Sequence, residues 1–172
     1  MTPDPSPNLV KEPESTYFVH FQDCDALQHL NNARYFDYFL NAREEHTHRY
    51  YQLNLMELAR RLRANWVVTH HQIAYLKPAD HGQTVVIQTR LIHFDNSSLV
   101  IEGVMLNEEK NHLKALLWTT MRFVSLETGK PTDHPDDLMD MLEQLDVAHV
   151  SYDEDGFQSR VKQVNRQARG KE

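Results

Sequence analysis

Residues 21–35 decide how this chain is organised, and they read Phe21-Gln22-Asp23-Cys24-Asp25-Ala26-Leu27-Gln28-His29-Leu30-Asn31-Asn32-Ala33-Arg34-Tyr35. Carboxylate, imidazole and carboxamide side chains are concentrated here. Just before the cluster, Tyr17, Val19 and Phe21 would lie on one side of an extended chain and Phe18, His20 and Gln22 on the other, which predicts a short strand over 17–22. The polar cluster therefore lies in a loop that follows a strand.

A helix is predicted directly after the loop, from Asn32 to about Tyr51. Apolar residues recur there with the helical period, and Asn31 or Asn32 can cap the first turn. Asn54 followed by Glu57 resembles a capping box and predicts a second, shorter helix that ends near Arg63. The apolar stripe of the first helix consists of Tyr35, Phe36, Phe39 and Leu40.

Four strand-like runs follow the helices, over 66–76, 83–94, 98–108 and 112–126. Short turn sequences separate them, so consecutive strands should be antiparallel. A last helix is predicted to open at Pro135, with Leu138, Met141, Leu142 and Leu145 at helical spacing. This order indicates an α+β fold, in which a helix about 30 Å long spans a curled antiparallel sheet of about five strands.

The length of 172 residues and the 40% apolar content suit one globular domain, which we place at 17–146. Residues 1–16 contain four prolines and are expected to form a flexible tail. Residues 147–172 are polar, with basic side chains over 160–171, and we expect a second tail there. The lack of an apolar run of about 18 residues and of a signal peptide favours a cytoplasmic protein without a membrane span.

Charge and metal-ligand patterns narrow the function. The net charge of −7 disfavours a nucleic-acid-binding protein. The single Cys24 excludes an internal disulfide and argues against a zinc site with cysteine ligands. None of the 11 histidines has the His-Glu-x-x-His spacing, so we expect no metal site.

The polar cluster also carries a family resemblance. Asp23-Cys24-Asp25, followed by a loop and the long helix, resembles the signature of hotdog-fold thioesterases of the 4-hydroxybenzoyl-CoA thioesterase type. The continuation His-x-Asn-Asn-x-x-Tyr, here 29–35, resembles the branch that acts on long-chain fatty acyl-CoA. Residues 75–79, Tyr-Leu-Lys-Pro-Ala, and 96–99, Asn-Ser-Ser-Leu, add to the match, which covers roughly 17–145.

This resemblance implies a hotdog fold and hydrolysis of an acyl-CoA to a free acid and CoA, without a cofactor. It implies that Asp25 acts as nucleophile or general base and that the backbone N–H of Asn32 polarises the thioester carbonyl. His29 and Asn31 would order the loop or the water. Many relatives have glycine where this chain has Gln28, which leaves the substrate preference and the loop's backbone angles open.

The remaining candidates have alternative structural explanations. We expect Asp23 to be structural, because a carboxylate at a strand end commonly accepts loop N–H bonds. Tyr35 belongs either to the core or to the acyl pocket. Lys77, Ser97 and Ser98 are candidates for contacts with CoA, although polar residues in turns need no functional role.

The expected partners are an acyl-CoA substrate and further copies of the same chain, as a homodimer or homotetramer. Two alternatives stay open. The acyl carrier could be acyl carrier protein, which the basic C-terminal stretch would contact. Or the domain could bind acyl-CoA without cleaving it, although a binding module has no need of a carboxylate beside a thioester.

Overall fold

A five-stranded antiparallel sheet curls around one long helix in the computed structural model, which describes residues 10–170. The order across the sheet is β1-β3-β4-β5-β2. The strands are β1 Glu14–Phe18, β2 Ala64–Tyr75, β3 Thr84–Phe94, β4 Ser98–Asn107 and β5 Leu113–Ser125. The helices are α1 Arg34–Tyr51, α2 Leu55–Leu62, α3 Asp136–Leu145 and α4 Phe157–Arg169.

The first strand begins earlier than the apolar pattern predicts. The residues Glu14–Phe18 pair with β3, and the chain then turns into a 3₁₀ turn at Phe21–Asp23. Residues 14–16 therefore belong to the sheet and not to the expected tail, whose residues 1–9 lie outside the described part. Backbone pairing with β3 fixes this strand, and its side chains are only partly buried.

The inner face of the sheet holds α1. Tyr35, Phe39 and Ala42 are buried in one cluster with side chains from β3, β4 and β5. The helix lies close to β4 at Gly103, where a Cβ atom would come within 2.7 Å of the Phe39 ring. Glycine at this position therefore sets how closely α1 approaches the sheet. The strand residues of this cluster are Val85, Ile87, Met105, Ala115 and Leu117.

The outer face of the sheet is covered by α4, which corrects the expectation that 147–172 is a tail. The buried residues Phe157, Val161, Val164 and Ala168 recur at helical spacing and pack on the sheet. Polar and basic residues separate them, so the average composition conceals the stripe. The sheet residues of this cluster include Val100, Val104, Leu116 and Trp118.

A buried ion cluster fixes α4 to the sheet. Arg160 donates to both carboxylate oxygens of Glu102, at 2.8 and 2.7 Å, and Trp118 Nε1 donates to the same group at 2.9 Å. Arg90 Nε lies 2.9 Å from Glu102 Oε1, in ion-pair range. Burial pushes the pKa of Glu102 upward, but the Arg160 hydrogen bonds and both arginine charges outweigh it and hold the pKa below its ordinary value.

Candidate active site

The loop that carries Asp25 is held by its own backbone. Asp25 N–H donates to the His29 carbonyl at 2.8 Å, and Gln28 N–H donates to the Asp25 carbonyl at 3.0 Å. Asp25 Oδ1 accepts hydrogen bonds from the N–H groups of Leu27 and His29, at 2.8 and 3.3 Å. Within residues 10–170, Oδ2 accepts none, and the residue is exposed. One oxygen thus anchors the carboxylate while the other is available for chemistry.

Gln28 adopts a left-handed backbone conformation, with φ of 61°. Glycine adopts this conformation without steric cost, whereas a residue with a side chain is disfavoured by about 1–2 kcal/mol. The Gln28 carbonyl accepts a hydrogen bond from His81 N–H at 2.8 Å, which links the loop to the turn before β3. The loop therefore holds a strained residue beside Asp25.

His29 is paired with an acid that the sequence did not reveal. Its Nε2 lies 3.4 Å from Asp80 Oδ1, and the backbones of the two residues also form a bridge. Asp80 Oδ2 in turn accepts from Gln83 Nε2 at 2.7 Å, and Lys114 Nζ donates to Gln83 Oε1 at 3.1 Å. The sequence around Asp80 predicts only a turn. Its pairing with His29 depends on a contact between residues that are far apart in the chain.

The start of α1 lies directly after this loop. Asn31 lies just before it, and Asn31 Oδ1 accepts from Ala33 N–H at 3.0 Å. The N-cap is Ala33, which forms no side-chain cap bond, so the prediction that Asn31 or Asn32 caps the helix is wrong. The Asn32 carbonyl accepts from the Tyr75 hydroxyl at 3.0 Å. The Asn32 N–H has no acceptor among residues 10–170. An unpaired N–H at the positive end of a helix dipole is suited to a developing oxyanion.

Asp23 and Tyr35 form hydrogen bonds that hold the ends of the loop. The Tyr38 hydroxyl lies 2.9 Å from Asp23 Oδ2 and 3.1 Å from the Phe18 carbonyl oxygen, as donor to both. Tyr35 is 2% exposed, and its hydroxyl accepts from Ala79 N–H at 3.2 Å. Burial and the Asp23 hydrogen bond raise the pKa of Tyr38 to about 12. The structure thus places Asp23 and Tyr35 in supporting positions.

The three candidate CoA contacts do not all lie near Asp25. Lys77 follows β2, close to Ala79, whose carbonyl accepts from Leu30 N–H at 2.8 Å. Ser97 and Ser98 lie in the β3–β4 turn, at the opposite end of β3 and about 30 Å of strand away. Asp95 Oδ1 accepts from both their N–H groups, at 2.8 and 2.7 Å. One copy of the chain therefore does not bring the two serines to the Asp25 loop.

Within residues 10–170, no helix is long and apolar enough to cross a membrane. No group of three or more histidine, cysteine, aspartate or glutamate side chains is placed to hold a metal ion there.

Comparison with known proteins assigns the family. The sequence model of one protein family, the thioesterase-like superfamily, matches residues 19–142 of this chain. The matched part includes the Asp25 loop, α1 and the whole sheet except β1. The chain belongs to the thioesterase-like superfamily. Membership and the fold described above support a thioester hydrolase with the hotdog fold. Comparison with curated proteins finds no significant match.

Solved structures share the fold at low sequence identity. A probable thioesterase from Escherichia coli is 23% identical with a TM-score of 0.68, covering 77% of this chain and 97% of that one. A protein from Staphylococcus aureus, solved in complex with CoA, is 15% identical with a TM-score of 0.71 and coverages of 82% and 89%. The 12:0-ACP thioesterase from Umbellularia californica is 12% identical with a TM-score of 0.74, covering 84% of this chain and 54% of that one.

Proposed function

We propose that this protein hydrolyses acyl-CoA thioesters, with Asp25 as the catalytic carboxylate and the Asn32 N–H as the oxyanion donor. The observation that carries the proposal is the pair of available groups at the start of α1. Asp25 Oδ1 is anchored by the loop while Oδ2 accepts no hydrogen bond within residues 10–170, and the Asn32 N–H is equally unpaired there. Such groups, beside the end of a helix, suit attack on a carbonyl carbon.

Two routes use these groups. As general base, Asp25 takes a proton from water while the oxygen of that water adds to the thioester carbonyl; the Asn32 N–H binds the resulting oxyanion. Collapse breaks the carbon–sulfur bond, and the proton on Asp25 passes to the CoA thiolate. As nucleophile, Asp25 first expels CoA and forms a mixed anhydride, which water hydrolyses. Either route yields the free acid and CoA.

His29 and Asn31 act in both routes as positioning residues. The His29 N–H holds Asp25 Oδ1, and Asp80 holds the His29 ring. Asn31 orders the residues directly before α1 and with them the direction of the Asn32 N–H. Their contribution is a fixed geometry between the carboxylate and the oxyanion donor.

The substrate site is proposed to be completed by a second copy of the chain. β2 is an edge strand, and Val67 and Val68 on it are 48% and 40% exposed, so strand pairing with a second copy would cover them. A neighbouring copy would also be needed to bring Ser97 or Ser98 near the Asp25 loop. Lys77 already lies at that end and remains a candidate for CoA. The CoA in the Staphylococcus aureus neighbour supports this carrier.

The test is CoA release from a panel of acyl-CoAs of graded chain length. We expect Asp25→Asn to lower kcat by at least about a thousandfold, the upper part of the usual range for a lost acid–base group. Asp140→Asn, an exposed carboxylate of α3, is the matched control and should keep the wild-type rate. Full activity of Asp25→Asn would refute the assignment of Asp25.

The same panel offered on acyl carrier protein separates the two carriers. A basic surface favours this second candidate, because Lys162, Arg166 and Arg169 are exposed on α4 and acyl carrier proteins are acidic partners. The 12:0-ACP thioesterase among the structural neighbours supports it as well. Hydrolysis of acyl carrier protein esters with no hydrolysis of acyl-CoA would favour this carrier. Tight acyl-CoA binding without turnover would favour the non-catalytic alternative.

A further inference from the structure

One side of α1 connects the proposed oxyanion donor to a partly buried arginine, Arg43. Asn32, Phe36, Leu40 and Arg43 are spaced by four, four and three residues, so they lie along one side of the helix. Phe36 packs against the His71 ring of β2, with 5.1 Å between ring centroids, and Leu40 is 44% exposed. An apolar strip thus runs from the helix start to Arg43.

Arg43 lies where a narrow cavity meets an open groove. The cavity has a free volume of about 30 Å³, enough for a few atoms, and it lies between α1, α3 and the inner face of the sheet. The groove beside it has about 940 Å³ and begins at Leu40. The apolar side chains of the cavity include Leu91, Leu99, Ile101, Leu142 and Leu145; those of the groove are Leu40, Leu53, Leu55, Met56 and Met121.

The guanidinium of Arg43 is unpaired. Among residues 10–170 it makes no hydrogen bond and has no carboxylate within 4.0 Å, whereas the buried Arg90 and Arg160 both pair with Glu102. Burial lowers the pKa of Arg43 to about 10, so it keeps its charge at neutral pH. The side chain is only partly buried, and its unpaired guanidinium at the edge of the cavity can accept an anionic ligand.

Tyr51 adds a second donor to the same cavity. Its hydroxyl has no hydrogen-bond partner within the described residues, and it lies near enough to Arg43 to feel its charge. Burial raises the pKa of Tyr51 to about 12, which keeps the hydroxyl protonated. Thr47, Thr89 and Arg90 also line the cavity, but Thr89 is bonded to His46 and Arg90 is paired with Glu102. The unpaired guanidinium and hydroxyl match a carboxylate at the end of an apolar chain.

We propose that Arg43, with Tyr51, binds a carboxylate at the far end of the acyl group, so that the preferred substrate is the CoA ester of an α,ω-dicarboxylic acid. The inference rests on the proposed hydrolase function. The chain would lie along Phe36 and then enter the groove at Leu40, with its thioester at the Asn32 N–H. Eleven residues of helix correspond to about 16 Å, which matches an acyl chain of about twelve carbons.

Two acidic side chains, those of Glu44 and Glu45, also line the groove. Glu44 neighbours Arg43 in sequence, but its carboxylate is not within 4.0 Å of the guanidinium. Glu45 is occupied by Arg49 at 3.2 Å and by the Tyr17 hydroxyl at 2.8 Å. Neither carboxylate therefore takes the place of the ligand.

The first arm of the test compares two CoA esters of equal chain length, one with a terminal methyl group and one with a terminal carboxylate. We expect wild-type protein to prefer the carboxylate ester at least about tenfold in kcat/KM, because a charge-assisted hydrogen bond to Arg43 contributes a free energy that corresponds to about this ratio. Arg43→Met should abolish this preference and Arg43→Lys should keep part of it. Arg60→Met, an exposed arginine of α2, is the matched control and should keep the full preference. Thermal unfolding verifies that each variant is folded.

The second arm measures binding of the free dicarboxylic acid by calorimetry and needs no turnover. Binding that Arg43→Met weakens at least tenfold supports the site, even if the protein cleaves neither ester and the proposed hydrolase function fails. No preference in wild-type protein, or a preference that survives Arg43→Met, overturns the inference and leaves the hydrolase proposal intact. Equal weakening of CoA alone by Arg43→Met would assign the arginine to a CoA phosphate and would also overturn it.

Discussion

The two faces of the sheet differ in how completely their polar groups are paired. On the outer face, Glu102 is fully buried with Arg160, Arg90 and Trp118 around it, and every carboxylate oxygen has a partner. On the inner side, Arg43 has no acceptor within residues 10–170, and neither Asp25 Oδ2 nor the Asn32 N–H is paired there. Satisfied polar groups stabilise a fold, whereas unsatisfied ones mark positions where a ligand is expected. The outer face therefore contributes mainly to stability, and the inner side carries the groups that we propose for substrate binding and hydrolysis.

The largest effect on stability should come from Arg160→Met. The substitution leaves Glu102 buried with only Arg90 opposite, and breaking a buried ion pair in this way costs about 3–5 kcal/mol of unfolding free energy. Urea unfolding measures the loss. Activity per folded molecule should stay unchanged, because α4 lies on the face away from α1.

Two further variants make this prediction sharper. Lys162→Met, on the exposed side of α4, should leave stability within about 0.5 kcal/mol of wild type. The double variant Arg160→Met with Glu102→Met should recover much of the loss. An apolar pair replaces a buried ion pair at little cost, and Arg90 keeps Glu12 as its partner. A single variant as stable as Lys162→Met would show that the ion cluster does not fix α4.

The same contrast explains how much of the fold the sequence predicted. The long helix, the Asn54 cap and four of the strands follow from local periodicity and capping, and the structure confirms them within about two residues. The α4 stripe was not recognised, because Phe157 and Val161 are separated by polar residues and their partner surface, near Trp118, is distant in sequence. The start of β1 was missed because backbone pairing with β3 fixes it.

The site was predictable only where its groups are close in sequence. Asp25, His29 and Asn32 were picked from one stretch, and the structure places all three at the loop and the helix start. Asp80 was not found, since it meets His29 only after β3 folds against the loop. The sequence also did not identify Arg43, which we propose to bind a carboxylate. An arginine on a helix is expected to be solvent-exposed, and only the structure shows the cavity beside it.

Folding stability should be lost in two separate pH ranges as the solution is acidified, one range for each face of the sheet. Burial lowers the pKa of His46 and of His134, so below the ordinary histidine pKa of about 6.5 the unfolded state binds more protons and stability falls. Glu102 contributes stability above its ordinary carboxyl pKa, and this is lost only as the pH falls through its lower folded value. Urea midpoints between pH 8 and about 3 should therefore decline in two stages.

Substitutions assign each stage to its residues. His46→Gln should weaken the first decline, and Glu102→Gln should remove most of the second. His46 lies between Thr89 Oγ1, at 2.7 Å, and Ser15 Oγ, at 3.0 Å, so glutamine offers similar hydrogen bonds without titrating. Stability that is flat between pH 7 and 5 in wild type would contradict the assignment of the first stage.

The smallest effect concerns the strained residue beside Asp25. Gln28→Gly relieves about 1–2 kcal/mol of left-handed strain, but glycine gains about 0.4–1 kcal/mol of entropy in the unfolded chain. The expected net gain therefore lies between about 0 and about 1.6 kcal/mol, measured by urea unfolding. Gln52→Gly, at the left-handed C-cap of α1, has φ of 50° and should gain a similar amount, which makes it the matched control. If the Gln28 side chain shapes the substrate site, Gln28→Gly alone will change KM across the acyl-CoA panel. Equal KM values in the two variants would show that the side chain at position 28 is tolerated by the loop and not used by the site.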